Sequence, residues 1–166
     1  MKPQSSIAES AKEGLVRQPL IRLAQIDDAA ALAQLITELG YPTKTGEMEL
    51  RLESILSDPQ YRTFVAASEG KVCGMIGTCS FYSHEHNDRG GRILALVVSS
   101  SDQGRGVGRK LLQAAERDFD GRNITRIALN TRFQREATHR FYENLRYVRN
   151  GFRFVKELKP ASDDES

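Results

Sequence analysis

The chain has 166 residues, 39% hydrophobic and 28% charged, with a formal net charge of +2, which suits one globular domain and leaves no room for a second. Its Lys and Arg residues are spread along the sequence rather than gathered into runs, so a nucleic-acid partner is not demanded. No stretch approaches the ~18 apolar residues of a membrane span, and MKPQSSIAES lacks the apolar centre of a signal peptide, so the expectation is a cytoplasmic chain with no membrane partner.

Residues 1–18 are polar and aperiodic and are expected to be a mobile segment ahead of a single domain over 19–158; 159–166 form a short acidic end, also expected to be mobile. LIRLAQI (20–26) alternates as a strand. Asp27 or Asp28 can cap a helix whose apolar residues fall at Leu32, Leu35, Ile36 and Leu39, with Gly40-Tyr41-Pro42 as the stop. Thr45 opens a second helix, with Met48, Leu52, Ile55 and Leu56 on one face, Glu47 one turn before Arg51, and Asp58-Pro59 at its end. TFVAAS (63–68) and VCGMIGTCSFY (72–82), separated by Glu69-Gly70-Lys71, predict a hairpin, and GRILALVV (91–98) adds a third antiparallel strand after the polar HEHNDRGG connection. Cys73 and Cys79 lie six apart in one strand, outside disulfide or metal spacing, and are assigned to the core.

VVSSSDQGRGVG (97–108) then leads into the amphipathic stretch RKLLQAAERDF (109–119). Glycines between a buried strand and a helix let the backbone approach a phosphate, whose charge suits the unpaired amides of the first helical turn. Spacing removes two nucleotide sites. Gly108 is followed by Arg109, Lys110 and Leu111 rather than Lys-Ser/Thr, so the magnesium hydroxyl of a P-loop is missing. The glycines at 104, 106 and 108 read GxGxG rather than GxGxxG, with no carboxylate near Arg126 to hold a ribose. On the hexapeptide alone, a phosphate cradle and a glycine-rich helix cap are equally good readings.

Downstream, ITRIALNT (124–131) predicts a fifth strand. REATHRFYENLRY (135–147) predicts a helix with Ala137, Phe141 and Leu145 at spacing four, and FRFVKEL (152–158) a last strand.

Gln103-Gly104-Arg105-Gly106-Val107-Gly108 resembles the Q/R-x-x-G-x-G/A signature of the GNAT superfamily of N-acetyltransferases, and Phe141-Tyr142-Glu143-Asn144-Leu145-Arg146-Tyr147 is similar to its FYExLGF motif. LITELGYP and the VAASEGKVCGMIG hairpin extend the resemblance, toward the bacterial small-molecule branch, over about Leu20 to Leu158. Two departures stand out: Arg146 replaces a glycine, and Gln134 replaces an asparagine that usually contacts pantetheine.

The resemblance implies an α/β (α+β) fold, with a mixed, mostly antiparallel central sheet of 6–7 strands flanked by about four helices. It implies transfer of an acetyl group from acetyl-CoA to a primary amine of a small molecule or peptide, by direct attack in a ternary complex, and is compatible with a homodimer. Gln103 opens the cofactor-binding loop, in which backbone amides of Gly104, Arg105, Gly106, Val107, Gly108 and Arg109 would hold the pyrophosphate, with the Arg105 and Arg109 side chains adding affinity. The backbone of Val97 and Val98 would pair with pantetheine and meet the thioester oxygen, with Gln134, or Asn130 in its place, as a further contact. Tyr142 matches the general acid, since a phenol of pKa about 10 is neutral at pH 7 with a proton to give; without its motif it reads as a helix aromatic packed beside Phe141.

ILALVV holds no titratable side chain, so a general base must come from elsewhere. His84 and Glu85, in the connection leading into that strand, are the expected candidates. His84 and His86 without a third ligand describe a solvated turn, so no metal is expected. The alternative class is a sensor or structural module that binds acyl-CoA without turnover.

Overall fold

The elements follow from local signals. We describe residues 18–131 and 135–158 of a computed structural model. They form β1 (Leu20–Leu23), α1 (Ala29–Leu39), α2 (Thr45–Ser57), β2 (Tyr61–Ser68), β3 (Lys71–Tyr82), β4 (Arg89–Val98), α3 (Val107–Gly121), β5 (Arg126–Leu129) and α4 (Glu136–Asn144). By compactness the chain divides into one unit ending at Ala128 and one beginning at Leu129. The terminal segments expected to be mobile, apart from Gln18, lie outside the described residues.

A short 3-10 turn, Ile26–Asp28, leads into α1. There the Asp28 carboxylate accepts from both Arg22 guanidinium nitrogens at 2.8 Å and from the Gln25 amide at 2.8 Å, joining β1 to the helix entrance. Gly40 ends α1 with φ +109°, a left-handed cap that a Cβ would disfavour. At the start of α2, Glu47 accepts from the Lys44 amide at 2.7 Å and Arg51 donates to Thr43 Oγ1 at 3.1 Å, so the two side chains serve the helix entrance in place of the expected pair. Leu56, expected on the buried face, is exposed.

The described residues contain a five-stranded sheet in the order β1-β2-β3-β4-β5, and β1 to β4 run antiparallel in sequence. Glu69 and Gly70, both at positive φ, make the two-residue turn of the β2–β3 hairpin. The helical crossover through α3 returns β5 beside β4, which makes the sheet mixed. The strand count is below the 6–7 expected. Residues 151–158 carry no strand, and Phe152, Phe154, Val155 and Leu158 are exposed. Apolar alternation alone does not make a strand where no neighbouring strand supplies a ladder.

One sheet face carries α1 and α2, with Leu32, Leu35, Met48, Leu52, Val65, Met75 and Val97 in a common core. The other carries α3, whose Leu111, Leu112, Ala115 and Phe119 are buried. Two strand glycines set that helix close: a Cβ on Gly74 would stand 3.1 Å from Leu111, and one on Gly91 would stand 2.7 Å from the Phe119 ring. Cys73 is buried and Cys79 half-buried, both free, and burial raises both thiols above the ordinary range. Among the described residues no helix is long and apolar enough to cross a membrane.

Candidate functional site

The close seat of α3 against Gly74 places its first turn at the C-terminal end of β4. The connection turns through Gly104 (φ +78°) and Gly106 (φ +77°), and Gly106 is the helix N-cap. A Cβ at either glycine would meet nothing of the protein within 4 Å, so the space over the loop is open. The first intrahelical bond runs from Lys110 N–H to Gly106 O at 3.2 Å; the amides of Val107, Gly108 and Arg109 precede it and stand at the positive end of the helix. No acidic side chain occupies that first turn. The site is a row of donors in an electropositive turn, with room above it for an anion.

Several contacts hold the loop in shape. Ser99 N–H donates to Cys73 O at 2.8 Å, Asp102 N–H to Ser99 O at 2.9 Å, and the Gln103 side-chain amide to Val98 O at 3.1 Å. Glu38, on α1, accepts from the Ser100 amide at 3.0 Å. Arg105 is directed to Asp102, at 3.6 Å, so its charge is partly met within the loop. Gln103 thus works as a tie between loop and strand, and Glu38, far away in sequence, is a loop support that no local motif signals.

Val97 buries its side chain in the core between the sheet, α1 and α2, while its backbone lies opposite Met75 of β3. The β3–β4 register slips between Gly77 and Thr78, which face Ala95 and Ile93, leaving Leu94 as a bulge residue. A bulge interrupts the regular ladder of β4 a few residues before its glycine-loop end.

His84 and Glu85 occupy the β3–β4 connection, where Ser83 Oγ accepts from the amides of Glu85 (3.0 Å) and His86 (3.1 Å). This connection is at the opposite end of β4 from the glycine loop: the strand between Arg89 and Val98 spans roughly 30 Å at ordinary strand rise. The structure therefore does not bring the two base candidates to the Val97–Val98 backbone. Antiparallel connectivity puts a hairpin loop and the following strand's exit at opposite ends. In the same connection, Asp88 is bonded to Arg126 at 2.7 Å and to Thr125 at 3.2 Å, and the Arg126 guanidinium holds its carboxyl below the usual range.

In the second unit, Asn130 directly follows β5 and is exposed, while Gln134 lies outside the described residues. Tyr142 is the buried residue of α4, its ring edge-to-face with Phe141 (centroids 5.1 Å apart) and Tyr147 (5.6 Å). Ala137, expected on the packed stripe, is exposed. Burial pushes the Tyr142 phenol above its ordinary pKa, so it keeps its proton at neutral pH. Arg146 adopts φ +68°, a left-handed conformation that a side chain disfavours. Among the described residues no group of three or more His, Cys, Asp or Glu side chains is gathered as metal ligands.

The model of the Acetyltransferase (GNAT) family matches residues 29–147. A GNAT family acetyltransferase of Staphylococcus aureus is similar in structure, with TM-score 0.73 and 29% identity over 85% of this chain and 99% of that one. Glucosamine-6-phosphate N-acetyltransferase of Arabidopsis thaliana (TM-score 0.74, 20% identity, 85% and 99% covered) shares the fold. So does an aminoglycoside acetyltransferase from an uncultured soil metagenomic sample, solved with sisomicin (0.72, 18%, 85% and 97%). None of the curated protein sequences compared with the chain matches it.

Proposed function

Since the chain belongs to the GNAT acetyltransferase family, we propose that it moves an acetyl group from acetyl-CoA to a primary amine of a small molecule or peptide, by direct attack in a ternary complex. The observation that carries this reading is the open turn at Gly104 and Gly106, set directly before the unpaired amides of Val107, Gly108 and Arg109 at the end of β4. Pyrophosphate fits it by charge, by donor number and by the absence of a Cβ where the backbone must be approached closely. The Arg105 and Arg109 side chains add attraction that weakens with salt.

In this reading the loop and the Val97–Val98 backbone orient the donor, and a backbone amide of β4 polarises the thioester oxygen as negative charge develops there. The attacking amine must arrive neutral. Ile93 to Val98 offer no side chain to take its proton, so that proton passes to water. The departing thiolate needs a proton in return. Tyr142 supplies it, because its burial keeps the phenol protonated at the working pH.

Thiol release from acetyl-CoA, measured against aminoglycosides, polyamines, amino acids and lysine-bearing peptides, tests the proposal. Release with at least one class, matched by acetylated product in mass spectra, is the expected result. Binding of acetyl-CoA with no release across the panel points to the non-catalytic acyl-CoA sensor.

A further inference from the structure

The face of the sheet that carries α1 and α2 is covered only in part. Their core closes over Val65, Met75, Ala95 and Val97. Farther from the glycine loop, Tyr61, Cys79 and Arg92 lie in one cross-strand row, since Tyr61 faces Cys79 and Cys79 faces Arg92. Phe81 is next along β3, opposite Gly90, where a Cβ would stand 2.5 Å from its ring, so the glycine lets that ring lie down on the strand. The Arg92 guanidinium sits over the Phe81 ring, 5.7 Å from its centroid. Arg92, Phe81 and the bulge residue Leu94 are exposed, and among the described residues Arg92 has no carboxylate within ion-pair distance.

An exposed guanidinium held on an aromatic face, with its fork unpaired, is suited to a carboxylate. Its position gives that suitability a use. Arg92 precedes Val98 by six residues, roughly 20 Å along β4, and the stretch between them is uncharged. Cationic groups thus stand at both ends of one neutral strand segment, one set at the glycine loop and the other at Arg92.

We propose that Arg92, backed by Phe81, anchors the carboxylate of the acceptor, and that the acceptor is an amine carrying a carboxylate and an apolar or aromatic side group, such as an amino acid. The inference rests on the acetyl-transfer reading above. With the donor's phosphates held at the loop and the acceptor's carboxylate held at Arg92, the two reactants enter from opposite ends of β4 and their reacting groups meet over the bulge. The same cation repels polyamines and other multiply charged cationic amines from that place.

Phenylalanine, phenylalaninamide and phenethylamine carry the same ring and a primary amine, and only the first has a carboxylate. In thiol release from acetyl-CoA, wild type is expected to show kcat/KM about tenfold or more higher for phenylalanine than for the other two. R92M should bring the three to within about threefold and R92K should keep part of the preference, both with unchanged melting temperature. Equal use of all three by wild type, preference surviving in R92M, or release with cationic amines alone overturns the Arg92 assignment and leaves acetyl transfer standing. Release with no amine overturns acetyl transfer itself. Calorimetric titration of N-acetylphenylalanine then decides Arg92 separately: binding about tenfold weaker in R92M upholds it, and equal or absent binding overturns it.

Discussion

The Tyr147 amide donates to the Tyr142 carbonyl at 3.0 Å while the two rings meet edge to face, so one residue both closes α4 and packs on the proposed acid. Between them the Arg146 amide donates to Glu143 O at 2.9 Å. These are the paired bonds of a Schellman ending, with its usual apolar contact supplied by the two tyrosines. The motif's terminal aromatic therefore has a physical purpose: it fixes the helix turn on which Tyr142 stands.

That ending requires a left-handed residue at 146, which a side chain disfavours by about 1 kcal/mol. Arg146→Gly relieves the strain and is offset in part by the freer unfolded chain, so Tm should rise by about 1–3 °C. Thermal unfolding followed by circular dichroism checks this; a fall in Tm means that the exposed Arg146 side chain stabilises the turn in some other way.

Tyr142→Phe keeps the ring and its two aromatic contacts and removes only the proton donor. The expected outcome is a kcat about 100-fold lower with acetyl-CoA affinity within about twofold of wild type. Steady-state kinetics beside calorimetry separates the two quantities, and an unchanged kcat removes Tyr142 from the mechanism.

Gly106 can be tested without disturbing the fold, because a Cβ there meets nothing of the protein within 4 Å and asparagine tolerates its φ of +77°. Gly106→Asn should lose acetyl-CoA binding by about 100-fold or more, through steric exclusion of the pyrophosphate, and shift Tm by no more than about 2 °C. Calorimetric titration with acetyl-CoA measures it, and retained affinity means that the phosphates lie elsewhere.

The Arg22–Asp28 pair makes a pH prediction. Arg22's two hydrogen bonds hold the Asp28 carboxyl below the usual range; burial opposes this, and the Gln25 amide adds to it. A lowered carboxyl pKa contributes stability that is complete above its unfolded value of about 3.9 and is lost as pH falls through the lower folded value. Because Arg22 is one-third exposed, the pair's contribution is modest, and Asp28→Asn should lower Tm by about 2–4 °C at pH 7. The difference should persist to pH 5 and shrink below about pH 4. A difference that grows on acidification contradicts the assignment.

Much of the fold is legible because local signals agree with tertiary packing. Gly40 stops α1 where the αL cap is needed, Glu69-Gly70 makes the two-residue turn, and the glycines at 104 and 106 take the left-handed backbone that a phosphate loop uses. The bulge at Leu94 is hidden because ILALVV is apolar throughout, so a slip of one residue leaves no break in the pattern. FRFVKEL shows the converse, since its alternation carries no information about a partner strand. His84 and Glu85 have the chemistry of a base, yet the length of β4 separates their connection from Val98. The turn at 146 keeps its left-handed shape with arginine in place, because the Tyr142–Tyr147 contact and two backbone bonds outweigh the cost at a single residue.

Direct transfer between two substrates bound together leaves a distinct signature in two-substrate initial-rate kinetics. With acetyl-CoA and a competent amine each varied at several fixed concentrations of the other, double-reciprocal lines should intersect, and acetylated amine should form in proportion to released thiol. Parallel lines, which mark an acetyl-enzyme intermediate, or bound acetyl-CoA with no acetylated product, would rule out direct transfer.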